Sequence, residues 1–160
     1  MTVDDGDNPP EAPWWEAVST SALLRAGWRA YGDVVRTAVA EAGFDDLPRN
    51  GAYVLGATAR QAMTLQQLPS ALGVTKQAFS QLLDALVLRG YAERGPDPRD
   101  RRRLLLTLTA RGSAAARLVD ECARRSDAAL LELVGDPAAI ATTRRVLASM
   151  TAIAPDTGLA

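Results

Sequence analysis

The stretch from Thr64 to Thr109, TLQQLPSALGVTKQAFSQLLDALVLRGYAERGPDPRDRRRLLLTLT, decides the fold of this chain. It contains two short segments with helical spacing of apolar residues, then two strand-like segments on either side of a basic loop. A glycine, Gly73, separates the two helical segments, as is common in helix-turn-helix units. The stretch therefore predicts a helix-turn-helix followed by a β-hairpin.

The first helix of the pair is predicted to begin at Thr64, because Thr64 and Gln67 have the spacing of a capping box. Pro69 lies inside this segment, where it removes a hydrogen bond and strains the preceding turn. Two alternatives follow: the helix begins later than Thr64, or its first turn is bent. Gly73 ends the helix in either case.

The second helix is predicted to begin after Thr75, an N-cap residue, and to end at Gly90, with Arg89 in its last turn. Its apolar residues recur at helical spacing and are Phe79, Leu82, Leu83, Leu86 and Val87. The other face carries the polar residues Thr75, Lys76, Gln77, Ser80, Gln81 and Asp84. We expect this polar face to point away from the core.

Two strands are predicted at Tyr91–Gly95 and Leu104–Leu108, the second with leucines on one face at a period of two. Between them lies PDPRDRRR, residues 96–103, whose prolines predict a loop at the tip of a hairpin. Asp100 is interpreted as a residue that hydrogen-bonds a neighbouring arginine and fixes its direction. The arginines of this loop form a phosphate-seeking surface; they are Arg99, Arg101, Arg102 and Arg103.

The charge of the chain is local rather than global. The net charge of all 160 residues is −1, but residues 74–111 carry eight basic and four acidic residues, a net charge of +4. The remainder carries a net charge of −5. A basic segment in an acidic body is the footprint expected of a local DNA contact surface, although an arginine run by itself is more often a solvated loop.

The composition excludes several classes of function. The chain has no histidine, which removes His-based catalysis and most zinc sites. It also has no Gly-rich phosphate loop, so we predict no enzyme, no cofactor and no metal site. A single cysteine, Cys122, fits the reducing cytoplasm. We predict no signal peptide, because the N-terminal residues are acidic and polar, with no basic start and no apolar core. We also predict no membrane span, because no apolar run approaches about 18 residues.

The rest of the chain is predicted to be helical, apart from an acidic, disordered tail at residues 1–13. One helix is expected from about Trp14 to Ala42, and another from Pro48 to near Met63. Thr109 is expected to cap a helix running to about Val134, and Asp136 with Pro137 to start the last one. The fold class is therefore mainly α, with about six helices and one β-hairpin.

The long helices at the two ends carry more apolar surface than one small domain can cover. The helix that follows Thr109 would be about 38 Å long at 1.5 Å per residue. Trp14 and Trp15 are adjacent, so they cannot both face one core, and at least one is exposed or packed against a partner. A symmetric dimer, in which the terminal helices pack together, is the expected solution.

The central stretch resembles the MarR family of bacterial winged-helix transcription regulators. The resemblance is carried by VTKQAFSQLLDALVLRGY, GYAER, PDPRDRRR and LLLTLTARG, taken in this order. It implies one MarR-like domain at residues 14–160, with a DNA-binding winged helix at 48–108 and dimerisation helices at 14–44 and 109–154. In the family an arginine of the wing, held by an aspartate two residues earlier, enters the minor groove, which corresponds to Asp100 and Arg102 here.

The resemblance implies a DNA-binding homodimer on a near-palindromic operator. Gln77, Ser80 and Gln81 would contact base edges, while Thr75, Lys76 and the loop arginines would hold phosphates. Arg60 is interpreted either as a further phosphate contact or as a solvated surface arginine. A winged helix that mediates protein–protein assembly without DNA is the alternative function.

Regulation is also implied by the resemblance, since many such proteins are repressors released by a small aromatic effector. Trp28, Tyr31 and Tyr53 can line an effector site, but packing in the core is the more common role for each, so the effector-binding residues are unknown. Some relatives sense oxidants through a cysteine near the N-terminus. Cys122 lies in the fifth predicted helix, so a small buried hydrophobic role is favoured for it.

Overall fold

The computed structural model describes residues 13–61, 65–96 and 104–150, and within them it contains six α-helices and a two-stranded antiparallel sheet. The elements are α1 (Thr20–Glu41), α2 (Gly51–Ala59), α3 (Leu68–Leu72), α4 (Lys76–Leu88), β1 (Ala92–Pro96), β2 (Leu104–Leu108), α5 (Ala110–Val134) and α6 (Pro137–Met150). The predicted class, mainly α with a hairpin, is confirmed. The predictions for the N-terminal tail, the Thr64 cap and the arginine loop lie outside the described residues.

The first helix begins later than predicted. Residues Trp14–Ala17 form a single turn of 3-10 helix, and Val18 is extended. The α-helix begins only after Ser19, whose hydroxyl accepts a hydrogen bond from the Ala22 amide at 3.3 Å. The prediction of one helix from Trp14 was wrong because this side-chain cap starts a new helix.

The second helix is shorter at both ends than predicted. Asn50 adopts a left-handed conformation, with φ of 65°, so α2 begins at Gly51 rather than at Pro48. Its C-cap is Arg60, and Gln61 is again left-handed, with φ of 50°. Asn50 is of a type that adopts this conformation more readily than most residues, so the start of α2 has a local signal that the helical spacing of apolar residues does not show. Gln61 gives no such signal for the end of the helix.

The helix-turn-helix is confirmed, and the structure decides between the two alternatives for its first helix. α3 begins at Leu68, with Pro69 in its first turn, where a missing amide proton costs little. Gly73 ends α3 in a left-handed conformation, with φ of 63°. Thr75 then caps α4, because its hydroxyl accepts a hydrogen bond from the Ala78 amide at 3.1 Å.

The hairpin follows α4 directly and presents one face to the interior. Ala92 is paired with Leu108 and Arg94 with Leu106, so these four residues share a face. Ala92 and Leu106 are buried, whereas Leu105 on the opposite face is exposed. The predicted period-two arrangement of the leucines is confirmed, and β1 begins one residue later than predicted.

The core lies in the winged helix and the first half of α5. α2 and α5 pack together, and the interior is closed by α3, α4 and the hairpin. The buried members are Val54, Leu55, Ala57, Leu68, Phe79, Leu83, Leu86, Tyr91, Ala92, Leu106, Ala115 and Ala116. This one cluster holds the polar face of α4 in a fixed direction.

The ends of the chain, in contrast, leave much of their apolar surface uncovered. Val39 is the one buried residue of α1, and α6 has none. Trp14 and Trp15 are both exposed, at 73% and 51%, and Leu133 at the end of α5 is 85% exposed. Across the described parts of the chain, no helix is both long and apolar enough to cross a membrane.

Gly112 marks a close approach between two segments. An added Cβ at Gly112 would lie 1.8 Å from the carbonyl oxygen of Tyr91. The first turn of α5 therefore packs directly on the backbone where the hairpin begins, and only glycine leaves room for that contact.

We expect Gly112→Ala to destabilise the fold by roughly 2–4 kcal/mol, because backbone must move to relieve the overlap. Gly27→Ala is the matched control, since no atom lies within 4 Å of an added Cβ there. It should stabilise α1 by up to about 1 kcal/mol. Urea unfolding followed by circular dichroism measures both, and an unchanged midpoint for the Gly112 variant would contradict this packing.

Candidate nucleic-acid interface

The polar face predicted for α4 is exposed. Phe79, Leu83 and Leu86 bury one side of the helix in the core, so the other side is turned to solvent. That side carries the predicted contact residues Thr75, Lys76, Gln77, Ser80 and Gln81, all of them exposed. The structure therefore brings these five residues onto one exposed helical face.

A side chain that the sequence analysis missed braces the hairpin against this helix. The Arg94 guanidinium forms an ion pair with Asp84, with Nη1 and Oδ1 2.7 Å apart. Its Nη2 also approaches the backbone carbonyl of Ser80 at 3.5 Å. Asp84, which the sequence predicted only as an outward polar residue, is therefore the ion-pair partner of Arg94. The alternation of β1 places Arg94 on the same face as Ala92, towards α4, where Asp84 is within reach of its guanidinium.

The five loop residues predicted to contact DNA, Arg99 to Arg103, lie outside the described residues. What the structure does describe is the pair that precedes the loop, Pro96 opposite Leu104. Residues 97–103 connect these two positions in sequence. The loop therefore belongs to the end of the hairpin remote from Tyr91, and the roles of its arginines stay predictions.

Tyr91, immediately before β1, joins four segments of the chain. Its side chain is fully buried, and its hydroxyl donates to the carboxylate of Asp46 in the α1–α2 loop. Its amide donates to Leu86 of α4 at 2.9 Å, and its carbonyl accepts from Thr109 at 3.1 Å. Its ring lies 6.2 Å from that of Phe44, centre to centre. Every polar group of this tyrosine is therefore used in joining α4, the hairpin, α5 and the loop.

Arg111 completes this arrangement from the first turn of α5. Its guanidinium lies 4.4 Å from the centre of the Tyr91 ring and forms a two-pronged contact with Asp46, at 2.8 and 3.3 Å. It also donates to the carbonyl of Arg89 at 2.6 Å, while the Arg89 side chain donates to the carbonyl of Asp46. We call Asp46, Arg89, Tyr91 and Arg111 the junction cluster. The sequence analysis assigned no role to Asp46 or Arg111.

The junction cluster shifts two proton equilibria. Burial, together with the hydrogen bond to Asp46, raises the pKa of Tyr91 to about 12. The hydrogen bond from Tyr91 and the charge of Arg111 lower the pKa of Asp46 below its ordinary value. The tyrosine is therefore protonated and the aspartate ionised over the physiological range, which keeps the donor and the acceptor matched.

Arg60 has a protein partner rather than a purely solvated position. Its guanidinium forms an ion pair with Asp120 of α5 and keeps 51% of its side-chain surface exposed. The pair links the end of α2 to α5. The sequence analysis interpreted Arg60 as a phosphate contact or as a solvated arginine, and neither interpretation included Asp120. In this structure the Arg60 side chain is paired with α5.

The three aromatic residues considered for an effector site do not converge. Trp28 and Tyr53 meet edge to face with ring centres 6.3 Å apart, and Trp28 is 65% exposed. Tyr31 is directed to α5, where its hydroxyl lies 3.4 Å from Asp127, and burial is the main cause of its raised pKa. Cys122 is buried, at 3% exposure, which confirms the expectation for the single cysteine.

Comparison with known protein families and proteins gives consistent results. Residues 45–103 match the sequence model of the MarR family. The HTH-type transcriptional regulator PetP of Rhodobacter capsulatus is 36% identical over 88 residues, which are 55% of this chain and 52% of PetP. The chain thus spans about half the length of that curated relative.

Solved structures share the fold over most of its length. A mutant of MarR from E. coli complexed with operator DNA is 24% identical, with a TM-score of 0.59, over 87% of this chain and 99% of that one. The PcaV regulator of Streptomyces coelicolor, in complex with its natural ligand, is 20% identical, with a TM-score of 0.64. That match covers 88% of this chain and 96% of PcaV. At these identities the likeness establishes the fold.

The raised pKa of Tyr91 predicts a loss of stability at alkaline pH. The ordinary tyrosine pKa is 10.0, and in the fold it is about 12. A proton held more tightly in the fold stabilises it fully below about pH 10, and this contribution disappears as the pH rises towards about 12. Urea unfolding at about pH 9 and about pH 11 should show a larger loss for the wild type than for Tyr91→Phe. Equal losses would contradict the assignment.

Proposed function

We propose that the chain, whose residues 45–103 match the model of the MarR family, is a regulator of this family that binds DNA sequence-specifically and acts as a homodimer. The observation that carries the proposal is the exposed polar face of α4, which is capped by Thr75 and braced to the hairpin through Arg94 and Asp84. A helix presented in this way can enter the major groove, while the arginine-rich loop that follows reaches the flanking backbone.

Base reading is assigned to the middle of the exposed face. Gln77, Ser80 and Gln81 carry amide and hydroxyl groups that hydrogen-bond base edges, and glutamine can pair with adenine through two bonds. Thr75 and Lys76 lie at the start of α4, where unpaired amides and the helix dipole favour a phosphate. Asp84 is not assigned to base reading, since it is paired with Arg94.

The loop arginines supply the sequence-independent part of binding. Arg99, Arg101, Arg102 and Arg103 would neutralise phosphates beside the site. Arg102 is assigned to the minor groove, with Asp100 fixing its direction. The ion pair between Arg94 and Asp84 supports this assignment, because it ties the strand that leads into the loop to the helix that reads the bases.

A second copy of the chain is the partner proposed for the uncovered apolar residues at the two ends. These residues are Trp14, Trp15, Leu131, Leu133, Val134, Val146 and Leu147. α6 buries none of its residues within one copy, so a packed partner gives it the burial that a stable helix needs. A twofold dimer would place two copies of α4 about one DNA turn apart, roughly 34 Å, on a near-palindromic operator.

Regulation by a small molecule is the further part of the proposal. The chain would act as a repressor released by a small aromatic effector, and PcaV, which shares the fold, is a regulator that binds a natural ligand. The Trp28–Tyr53 pair offers aromatic surface on α1 and α2. A role at the chromosome places the protein in the cytoplasm and requires neither a catalytic group nor a cofactor.

The alternative, a winged helix that assembles proteins without binding DNA, is less well supported. PetP is a transcriptional regulator. One simple experiment distinguishes the two functions. A DNA-binding protein is retained on mixed duplex DNA at low salt and released at high salt, whereas a protein that does not bind DNA is not retained. Sequencing the fragments that the purified protein captures from random duplexes would then give the operator, and capture without enrichment of any sequence would contradict specific recognition.

Two single substitutions should separate base reading from phosphate binding. Gln81→Ala should cost about 1–3 kcal/mol on the selected operator and relax the choice of one base position in each half-site. Arg102→Ala should weaken binding evenly across sequences and reduce the salt dependence by about one unit for each wing. Binding curves at several salt concentrations measure both effects. An arginine variant with unchanged affinity and unchanged salt slope would remove the wing from the proposal.

A further inference from the structure

The junction cluster connects the DNA-reading elements to the helices proposed to form the dimer. Arg89 is the C-cap of α4, Tyr91 directly precedes β1, and Arg111 lies in the first turn of α5. Asp46 belongs to the loop that joins α1 to α2. The Asp46 carboxylate is thus contacted by Tyr91 at the start of the hairpin and by Arg111 at the start of the longest helix. The end of α4 joins through backbone carbonyls, since Arg111 donates to the carbonyl of Arg89 and the Arg89 side chain donates to that of Asp46.

The charged groups of this cluster are partly solvated. The side chains of Asp46 and Arg111 are 41% and 39% exposed, and ion pairs of this kind contribute little to stability because water screens them. What they do provide is direction. The planar guanidinium of Arg111 lies over the Tyr91 ring and meets both carboxylate oxygens of Asp46, an arrangement that lysine cannot reproduce.

A small change in the angle between α4 and α5 at this cluster would have a large effect at the far end of α4. The helix has 13 residues and is therefore about 20 Å long. A tilt of about 10° at the junction would displace its N-terminus by roughly 3 Å, as much as a whole hydrogen-bond length. Gln77 lies near that end, so a small rotation is enough to remove its contacts with base edges.

We propose that Asp46 and Arg111 are positioning residues for operator recognition, which hold α4 and the hairpin at one angle to α5. The proposal rests on the DNA-binding function above. Neither residue needs to touch DNA. In a dimer both copies of α4 must fit the operator at once. A change in this angle therefore lowers the affinity for the operator through both half-sites. Non-specific binding tolerates the error, because phosphates are available along the whole duplex.

The test compares Asp46→Asn with Asp120→Asn. Both remove a carboxylate that pairs with an arginine between the winged helix and α5. The Asp46 carboxylate also accepts from Tyr91, and its partner Arg111 donates to the Arg89 carbonyl at the end of α4. On the operator selected with the wild type, Asp46→Asn should lose about tenfold in affinity, comparable to one mismatched base pair. Its affinity for unrelated duplex and its salt slope should stay at the wild-type values. Asp120→Asn should keep the ratio of specific to non-specific affinity.

Arg111→Lys provides a second variant that keeps the positive charge. It should lose operator affinity as Asp46→Asn does, because lysine lacks the planar fork. Full operator affinity in either variant would overturn the proposal. A parallel loss on operator and unrelated duplex, in proportion to a lower folded fraction in urea unfolding, would also overturn it, since that result describes stability alone.

A measurement without DNA keeps this proposal separate from the proposed function. Spin labels at Gln77→Cys and Arg125→Cys, in a Cys122→Ala background diluted with unlabelled protein, report the distance between α4 and α5. The distribution of distances should broaden in Asp46→Asn and stay narrow in Asp120→Asn. A distribution as narrow as that of the wild type would overturn the junction's role. Failure of the wild type to bind any duplex would instead overturn the proposed function, and the distances would still decide the role of Asp46.

Discussion

The burial of Tyr91 is the constraint on which the arrangement of this chain depends. Its ring packs beneath Arg111, its hydroxyl donates to Asp46, and its backbone joins α4 to the start of α5. Gly112 lies so close to its carbonyl that no side chain fits between them. These contacts fix the start of the hairpin against α4, α5 and the loop between α1 and α2.

The chain divides its apolar residues between two tasks. One cluster, built from α2, α3, α4, the hairpin and the first half of α5, stabilises the winged helix. The second set, at Trp14, Trp15, the end of α5 and α6, remains exposed in a single copy. The first set determines which face of α4 is buried and which is exposed. The second set is the reason that a paired assembly is proposed as the form that acts on DNA.

The sequence predicted those parts of the fold whose signals lie within a few residues. Thr75 and Thr109 cap their helices through contacts three residues ahead, so α4 and α5 were placed correctly. The limits of α2 were missed because they depend on left-handed residues, of which Asn50 is one. The junction was missed for another reason: Asp46 is 45 residues from Tyr91 and 65 from Arg111, and no periodicity links such distant positions. Arg94 was the one missed contact with a local signal, a cation on the inner face of a strand.

The mass of the protein in solution, measured by sedimentation with and without its selected operator, tests the central claim most directly. The account predicts particles of two chains, each of 17.0 kDa, in the absence of DNA, and two chains on each operator duplex. The exposed residues at both ends of the chain would then be covered by the second copy. A particle of one chain at micromolar concentration, or one chain on each duplex, would contradict the account.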